Sequence, residues 1–143
     1  MSESALWNEL RPYFDGAGHA TRVENHEAGP GIPDVDYCFD GDEGHVELKF
    51  TNNVKKGVRF RDTQYRWFKH RVQAGGRPCV LVKVWIDRWP VYYFYYGNTI
   101  VDMHAHRHTS IQYWADRANR WWEHKLDIEQ LIWELREQSV SSR

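Results

Sequence analysis

Two short segments between residues 34 and 50 constrain this chain more than any other part of it. In Asp34-Val35-Asp36-Tyr37-Cys38-Phe39 polar and apolar side chains alternate. A β-strand sends successive side chains to opposite faces, so Asp34, Asp36 and Cys38 share one face and Val35, Tyr37 and Phe39 the other. His45 to Phe50 repeats the pattern, with Glu47 and Lys49 on one face and Val46, Leu48 and Phe50 opposite. Asp40-Gly41-Asp42-Glu43-Gly44 between them reads as a hairpin loop. Two adjacent strands thus turn two acids and a base toward one region, while their apolar faces need cover.

The flanking sequence supplies that cover. Leu6, Leu10 and Tyr13 recur at helical spacing between Ser4 and Phe14, with Ser4 available as N-cap. A strand is expected from Ala20 to His26, broken by Gly29-Pro30-Gly31. After a polar, basic loop from Thr51 to Val58, Asp62 or Thr63 can cap a helix running to about Ala74. Its buried stripe is Tyr65, Phe68 and Val72, and Gly75-Gly76 ends it. Pro78 to Ile86 is a strongly apolar strand, paired across Asp87-Arg88-Trp89-Pro90 with Val91 to Tyr96. Helices are expected at about Ser110 to Trp122 and Asp127 to Gln138. The fold class expected is α/β, a central mixed sheet flanked by helices with a C-terminal helical extension.

The 143 residues suffice for one compact domain, a core at about 5–100 and the extension at about 109–139. Hydrophobic residues at 41% and charged ones at 27% set wholesale disorder aside. Cys38 and Cys79 each sit beside strand-like apolar residues, which reads as free thiols in a reducing, cytosolic compartment. No long apolar run and no signal-peptide pattern is present, so the chain is expected neither to span a membrane nor to be exported.

The net charge of −1 conceals a segregation. Residues 1–48 hold Arg11 and Arg22 against eleven acids, a net of −9, whereas residues 49–77 hold nine Lys or Arg against Asp62 alone, a net of +8. A carboxylate-rich region feeding into a basic one suits a metal site beside a phosphate track. Lys55, Lys56, Arg59, Arg61, Arg66, Lys69 and Arg71 form the expected track, and contacts of that kind position a DNA backbone without reading its sequence. With no recognition-helix or zinc-finger pattern, structure-selective binding is expected.

Phosphodiester hydrolysis needs a cation against the charge that builds at phosphorus and a water made nucleophilic. Magnesium is held by one or two carboxylates plus waters and substrate oxygens, so Asp34 and Glu47 make an adequate pair, to which the Leu48 backbone carbonyl can add a third oxygen. Lys49, on the face of Glu47, is placed to orient the water and stabilise negative charge.

Pro33-Asp34, a hairpin and then Glu47-Leu48-Lys49 resemble the signature of the PD-(D/E)XK nucleases. Gly31-Ile32, Gln64-Tyr65-Arg66-Trp67-Phe68 and Gly75-Gly76-Arg77-Pro78 extend the likeness, over about residues 5–86, to archaeal Holliday junction resolvases and VRR-NUC nucleases. The resemblance implies a restriction-endonuclease-like core and an Mg²⁺-dependent endodeoxyribonuclease, with Mn²⁺ able to substitute. It also implies a 5′-phosphate product, branched or junction DNA as substrate and a homodimer. It assigns Glu9, on the first helix, to the metal shell, with Glu3 as the alternative on that helix, and Gln64 to the catalytic set. Alternatives are a nuclease for linear duplex or single-stranded DNA in phage DNA processing, repair or restriction, and a non-catalytic DNA-binding module.

His104, His106 and His108 would share a face on a strand and could bind a transition metal, but no Cys or acidic partner is spaced to complete a zinc site, so a partly exposed histidine-rich turn is the reading adopted. Trp114, Trp121, Trp122 and Trp133 are expected on the C-terminal helices as core or dimer contacts, with base stacking as the alternative.

Overall fold

The computed structural model describes residues 2–23, 31–108 and 110–141, with side chains described through residue 137. The alternating segments form the expected hairpin. Strand β2 is Val35–Phe39 and β3 is Asp42–Thr51, antiparallel, with Val35 opposite Val46 and Phe39 opposite Asp42. The connection is tighter than the sequence suggested. Asp40 (φ 53°) and Gly41 (φ 88°) both adopt left-handed backbone, and such a two-residue turn matches the strands' own twist.

Four more strands complete the sheet. β1, His19–Arg22, pairs antiparallel with β2, and the expected positions beyond residue 23, including Gly29 and Pro30, lie outside the described residues. β4, Pro78–Ile86, runs parallel to β3, with Glu47 opposite Val80 and Lys49 opposite Val82. β5, Trp89–Tyr96, returns antiparallel after a turn at Asp87-Arg88 alone, two residues shorter than expected. β6, Arg120–Glu123, adds an edge strand where a helix was expected, giving the order β1-β2-β3-β4-β5-β6. Trp121 and Trp122 therefore belong to a strand. Opposite Tyr93 and Tyr92, aromatic side chains gain cross-strand packing that a helix end would not provide.

Helices cover both faces. On one side lie α1, Glu3–Ala17, and α5, Ile128–Ser141; Leu6, Trp7, Leu10 and Phe14 meet Val35, Tyr37, Val46, Leu48, Leu81 and Phe94, joined by Leu131 and Leu135. The α1 N-cap is Ser2, whose hydroxyl accepts from the Ala5 amide at 3.1 Å, rather than Ser4. Tyr13, expected on the stripe, is 53% exposed because Phe14 takes the inward position against Phe39. On the other side lie α2, Asp62–Gln73, α3, Gly97–Asp102, and α4, Ile111–Arg117; Tyr65, Phe68, Ile100 and Trp114 pack with Val80, Val82, Val84 and Tyr95. This is a mixed six-stranded sheet flanked by helices, an α/β fold. The parallel β3–β4 pair requires a crossover, and α2 supplies it. Among the described residues no helix is long and apolar enough to cross a membrane. Cys38 and Cys79 are free thiols.

Candidate active site

Because β3 is interior, Glu47 and Lys49 are buried, at 2% and 7% exposure, on the face that α2 covers. Burying a carboxylate and an ammonium is costly unless both are paired and hydrogen-bonded, and both are. Lys49 Nζ lies 3.2 Å from Glu47 Oε2 and donates to Gln64 Oε1 at 2.9 Å. Gln64 Nε2 donates to Glu47 Oε2 at 2.8 Å, so one amide spans the ion pair.

Gln64 owes its position to the start of α2. The N-cap is Arg61, not Asp62 or Thr63, and the Arg61 amide donates to Gln64 Oε1 at 3.0 Å. The Gln64 side chain thereby closes the first turn of the helix and grips Lys49 with the same oxygen. Gly31 packs against this turn with φ +96°; a Cβ there would fall 2.2 Å from the Thr63 carbonyl oxygen, so no larger residue fits.

Asp34 stands just before β2 and is tied to the same stretch of β3. Its amide donates to Glu47 Oε1 at 3.1 Å, and its Oδ2 accepts from the Leu48 amide at 3.0 Å. The two expected carboxylates are thus neighbours, and Leu48, whose carbonyl was expected to help, lies between Glu47 and Lys49 with its amide committed to Asp34. Asp36, on the Asp34 face, is exposed and does not line the cleft.

These groups line a cleft of about 420 Å³ together with Glu3, Phe50, Val58, Arg59 and Arg61. Burial pushes the Glu47 carboxyl up to about 8; Lys49 pulls it back and Asp34 pushes it further. Glu3 is also raised, chiefly by partial desolvation at the cleft wall, with Lys49 opposing and Asp34 adding to the shift. Burial is the main cause of both shifts, and a divalent cation would favour the ionised carboxylates. Asp34 and Glu47, with Glu3 across the cleft, fit a hard ion that keeps much of its water. Among the described residues no group of three or more His, Cys, Asp or Glu is placed to hold a metal ion by itself.

The place expected for Glu9 is corrected by the structure. Its carboxylate accepts from Lys83 Nζ and from the Tyr92 hydroxyl, each at 2.6 Å. Lys83 lies in register with Phe50 and alternates with Val82, which puts it on the α1 face of β4, across the sheet from Glu47. Glu3, near the N-terminal end of the same helix, lines the cleft instead.

The expected phosphate track divides. Arg59 and Arg61 line the cleft, and Lys56 and Arg59 line a second one beside it, with Lys55 exposed on the same loop. Arg66 pairs with Asp62 at 3.3 Å, and Arg71 stacks 4.5 Å over the Trp67 ring. These two and the exposed Lys69 lie along α2 and line neither cleft.

The histidines form a turn around a short 3₁₀ segment, Ala105–Arg107. Tyr65 lies within hydrogen-bonding distance of His104 and stacks on its ring, with the His106 ring tilted at 4.3 Å, while His108 stacks on Tyr113 at 3.8 Å. Sequence reasoning passed over Phe50 as a site residue, and the strand alternation that placed it opposite Lys49 gave no sign that it would reach a cleft.

No family model matches the chain, and no curated protein resembles it in sequence. Among solved structures it is similar to Hjc of Archaeoglobus fulgidus, a Holliday junction resolvase from an archaeal hyperthermophile, with a TM-score of 0.45 and 17% identity over 68% of this chain and 74% of that one.

Proposed function

We propose that this protein is a magnesium-dependent endodeoxyribonuclease. The observation that carries the reading is the convergence of Asp34, Glu47, Lys49 and Gln64 on one cleft whose rim holds Arg59 and Arg61. Asp34 and Glu47, with the Leu48 carbonyl as a further oxygen and Glu3 across the cleft, would hold magnesium together with waters and substrate oxygens, and the ion, or Mn²⁺ in its place, would supply positive charge at the scissile phosphate.

The chain's own groups do the rest. Lys49 Nζ, free to move its bond from Gln64 to an incoming water or phosphate oxygen, orients the nucleophile and stabilises charge developing at phosphorus. Gln64 keeps Lys49 and Glu47 in register while that exchange occurs. Arg59 and Arg61 hold phosphates on either side, and Lys55 and Lys56 extend the contact. The water oxygen bonds to phosphorus as the bond to the 3′-oxygen breaks, leaving a 5′-phosphate and a 3′-hydroxyl. Branched DNA as the preferred substrate, and action as a homodimer that cuts two strands symmetrically, are supported by the sequence resemblance.

The test is incubation of the purified protein with labelled four-way, flap, single-stranded and linear duplex DNA in Mg²⁺, Mn²⁺ or a chelator. Metal-dependent cutting with preference for branched forms is expected. Equal cutting of junction and linear duplex removes the resolvase part, and no cutting of any substrate removes the enzyme.

A further inference from the structure

We propose that the loop between β3 and α2 forms a pocket for one unpaired nucleotide beside the scissile phosphodiester, with the Phe50 ring as the surface on which its base stacks. The proposal deepens the nuclease reading and rests on it for the position of that phosphodiester.

Phe50 is the outlier among the phenylalanines. Of six in the chain, Phe14, Phe39, Phe60, Phe68 and Phe94 are each 4% exposed or less and belong to the two core clusters. Phe50 is only partly buried and belongs to neither cluster. It lines the cleft of Asp34 and Glu47 and also a second cleft of about 580 Å³, and Arg59 is shared in the same way. The two spaces are therefore neighbours, and Phe50 and Arg59 stand where they meet.

The chemistry of the second cleft suits a nucleotide. Lys56 and Arg59 line it without any carboxylate, and Asn52 and Asn53 add amides. A nucleic-acid strand alternates anionic phosphate with flat aromatic base, and this wall holds one aromatic residue and two cations. The loop is held in shape before any ligand arrives. Asn53 Oδ1 accepts from the Lys55 and Lys56 amides at 3.0 and 3.2 Å, the Gly57 amide donates to the Asn53 carbonyl at 3.0 Å, and Thr51 Oγ1 accepts from the Asn53 amide at 3.1 Å. Binding then orders little that is not already ordered.

The occupant must be unpaired. In a continuous duplex both faces of every base are covered by its neighbours, and only base edges are open in the grooves. A ring set between phosphate-binding groups meets a base face only where the stack is interrupted, at a single strand, a flap or a branch point.

The test places 2-aminopurine at the unpaired position of a flap DNA and at a paired position of a linear duplex, and titrates each with the full-length protein in chelator. Stacking on Phe50 should quench the flap probe and leave the duplex probe unchanged. Phe50→Leu should remove the quench and weaken flap binding about ten-fold, within the range for one aromatic–base stack. Phe50→Trp should restore both, which separates loss of stacking from loss of fold. In Mg²⁺ the ratio of flap to duplex cleavage should fall about ten-fold in Phe50→Leu. Quenching unaffected by Phe50→Leu, or equal losses on flap and duplex, overturns the proposal. DNA cutting by the wild type without any quench removes the pocket and leaves the nuclease, whereas a Phe50-dependent quench without cutting of any DNA removes the nuclease and leaves the pocket.

Discussion

The sheet carries a buried lysine paired with a glutamate on each of its faces, and the two pairs differ in everything except composition. On one face Lys49 and Glu47 lie 3.2 Å apart, 7% and 2% exposed, beside an open cleft that also holds Asp34 and Glu3. On the other, Lys83 is 4% exposed and meets Glu9 at 2.6 Å, with Tyr92 bonded to the second carboxylate oxygen. In the Glu9 pair each carboxylate oxygen has its own donor. The Glu47 pair adjoins a cleft where Asp34 and Glu3 face Arg59 and Arg61, a space large enough for a ligand. A buried ion pair by itself says little about function; ionisable groups gathered on an accessible cavity say much more.

The largest expected effect follows from that contrast. Glu47→Ala should lower cleavage by roughly 10²- to 10³-fold, the scale for losing a group that supports transition-state charge, with DNA binding largely kept. Glu9→Ala should leave the rate per folded molecule near the wild-type value. Single-turnover cleavage of labelled DNA, normalised to the folded fraction, measures both. Comparable losses in the two variants would dissolve the distinction and return Glu9 to the metal shell.

Stability should show the reverse order. Glu9→Ala strands the Lys83 ammonium without its acid. Fully buried pairs lose about 3–5 kcal/mol on such a change, and the exposure of the Glu9 carboxylate brings the expected loss to about 2 kcal/mol. Glu47→Gln replaces a carboxyl whose ionisation burial opposes, so the metal-free protein should gain stability near pH 8 while losing activity. Urea unfolding of both variants in chelator decides it; destabilisation by Glu47→Gln at that pH would show that the ionised pair supports the fold.

How far the sequence anticipated these two faces can be traced through particular residues. Strand alternation placed Glu47 with Lys49 and Val46 with Leu48 correctly, because period two leaves no freedom once one face is apolar. Helical periodicity located α2 and hence Gln64, but not the bond from Gln64 back to the Arg61 amide, since Asp62 and Thr63 are the more ordinary capping residues. Periodicity also found α1 without saying which of its acids meets which face. Glu3 and Glu9 both adjoin the Leu6-Leu10 stripe, and only the docking of the helix sends one to the cleft and the other to Lys83. β6 escaped because Arg-Trp-Trp-Glu is too short for alternation to show, and its strand state depends on pairing with β5.

The third effect separates the pairs by pH. Glu47 binds its proton more tightly folded than unfolded, its carboxyl moving from an ordinary 4.5 to about 8. Its contribution is therefore complete below about pH 4.5 and is lost as pH rises toward 8, so stability of the metal-free protein should decline across that window. Glu47→Gln should flatten the decline. If Mg²⁺ binds the ionised Glu47 carboxylate, as proposed, its affinity should rise over the same interval, visible as a growing Mg²⁺-induced increase in Tm. A Tm increase of equal size at pH 5 and pH 8 would mean that Glu47 is not a ligand.

The smallest effect concerns the Tyr92 hydroxyl. Tyr92→Phe keeps the ring in the core and deletes one donor to a partly exposed carboxylate that retains Lys83, so a loss of about 1.5 kcal/mol is expected, the low end of the scale for a single hydrogen bond to a charged group. The informative measurement is a double-mutant cycle with Glu9→Gln. If the Glu9 pair is a closed structural unit, the two losses should be strongly non-additive in unfolding free energy, and neither variant should alter Mg²⁺-induced stabilisation. Additive losses would leave Tyr92 as ordinary packing. A change in the Mg²⁺ response would mean that the two faces communicate through β3 and β4, with Lys83 acting on the cleft from the far side of the sheet.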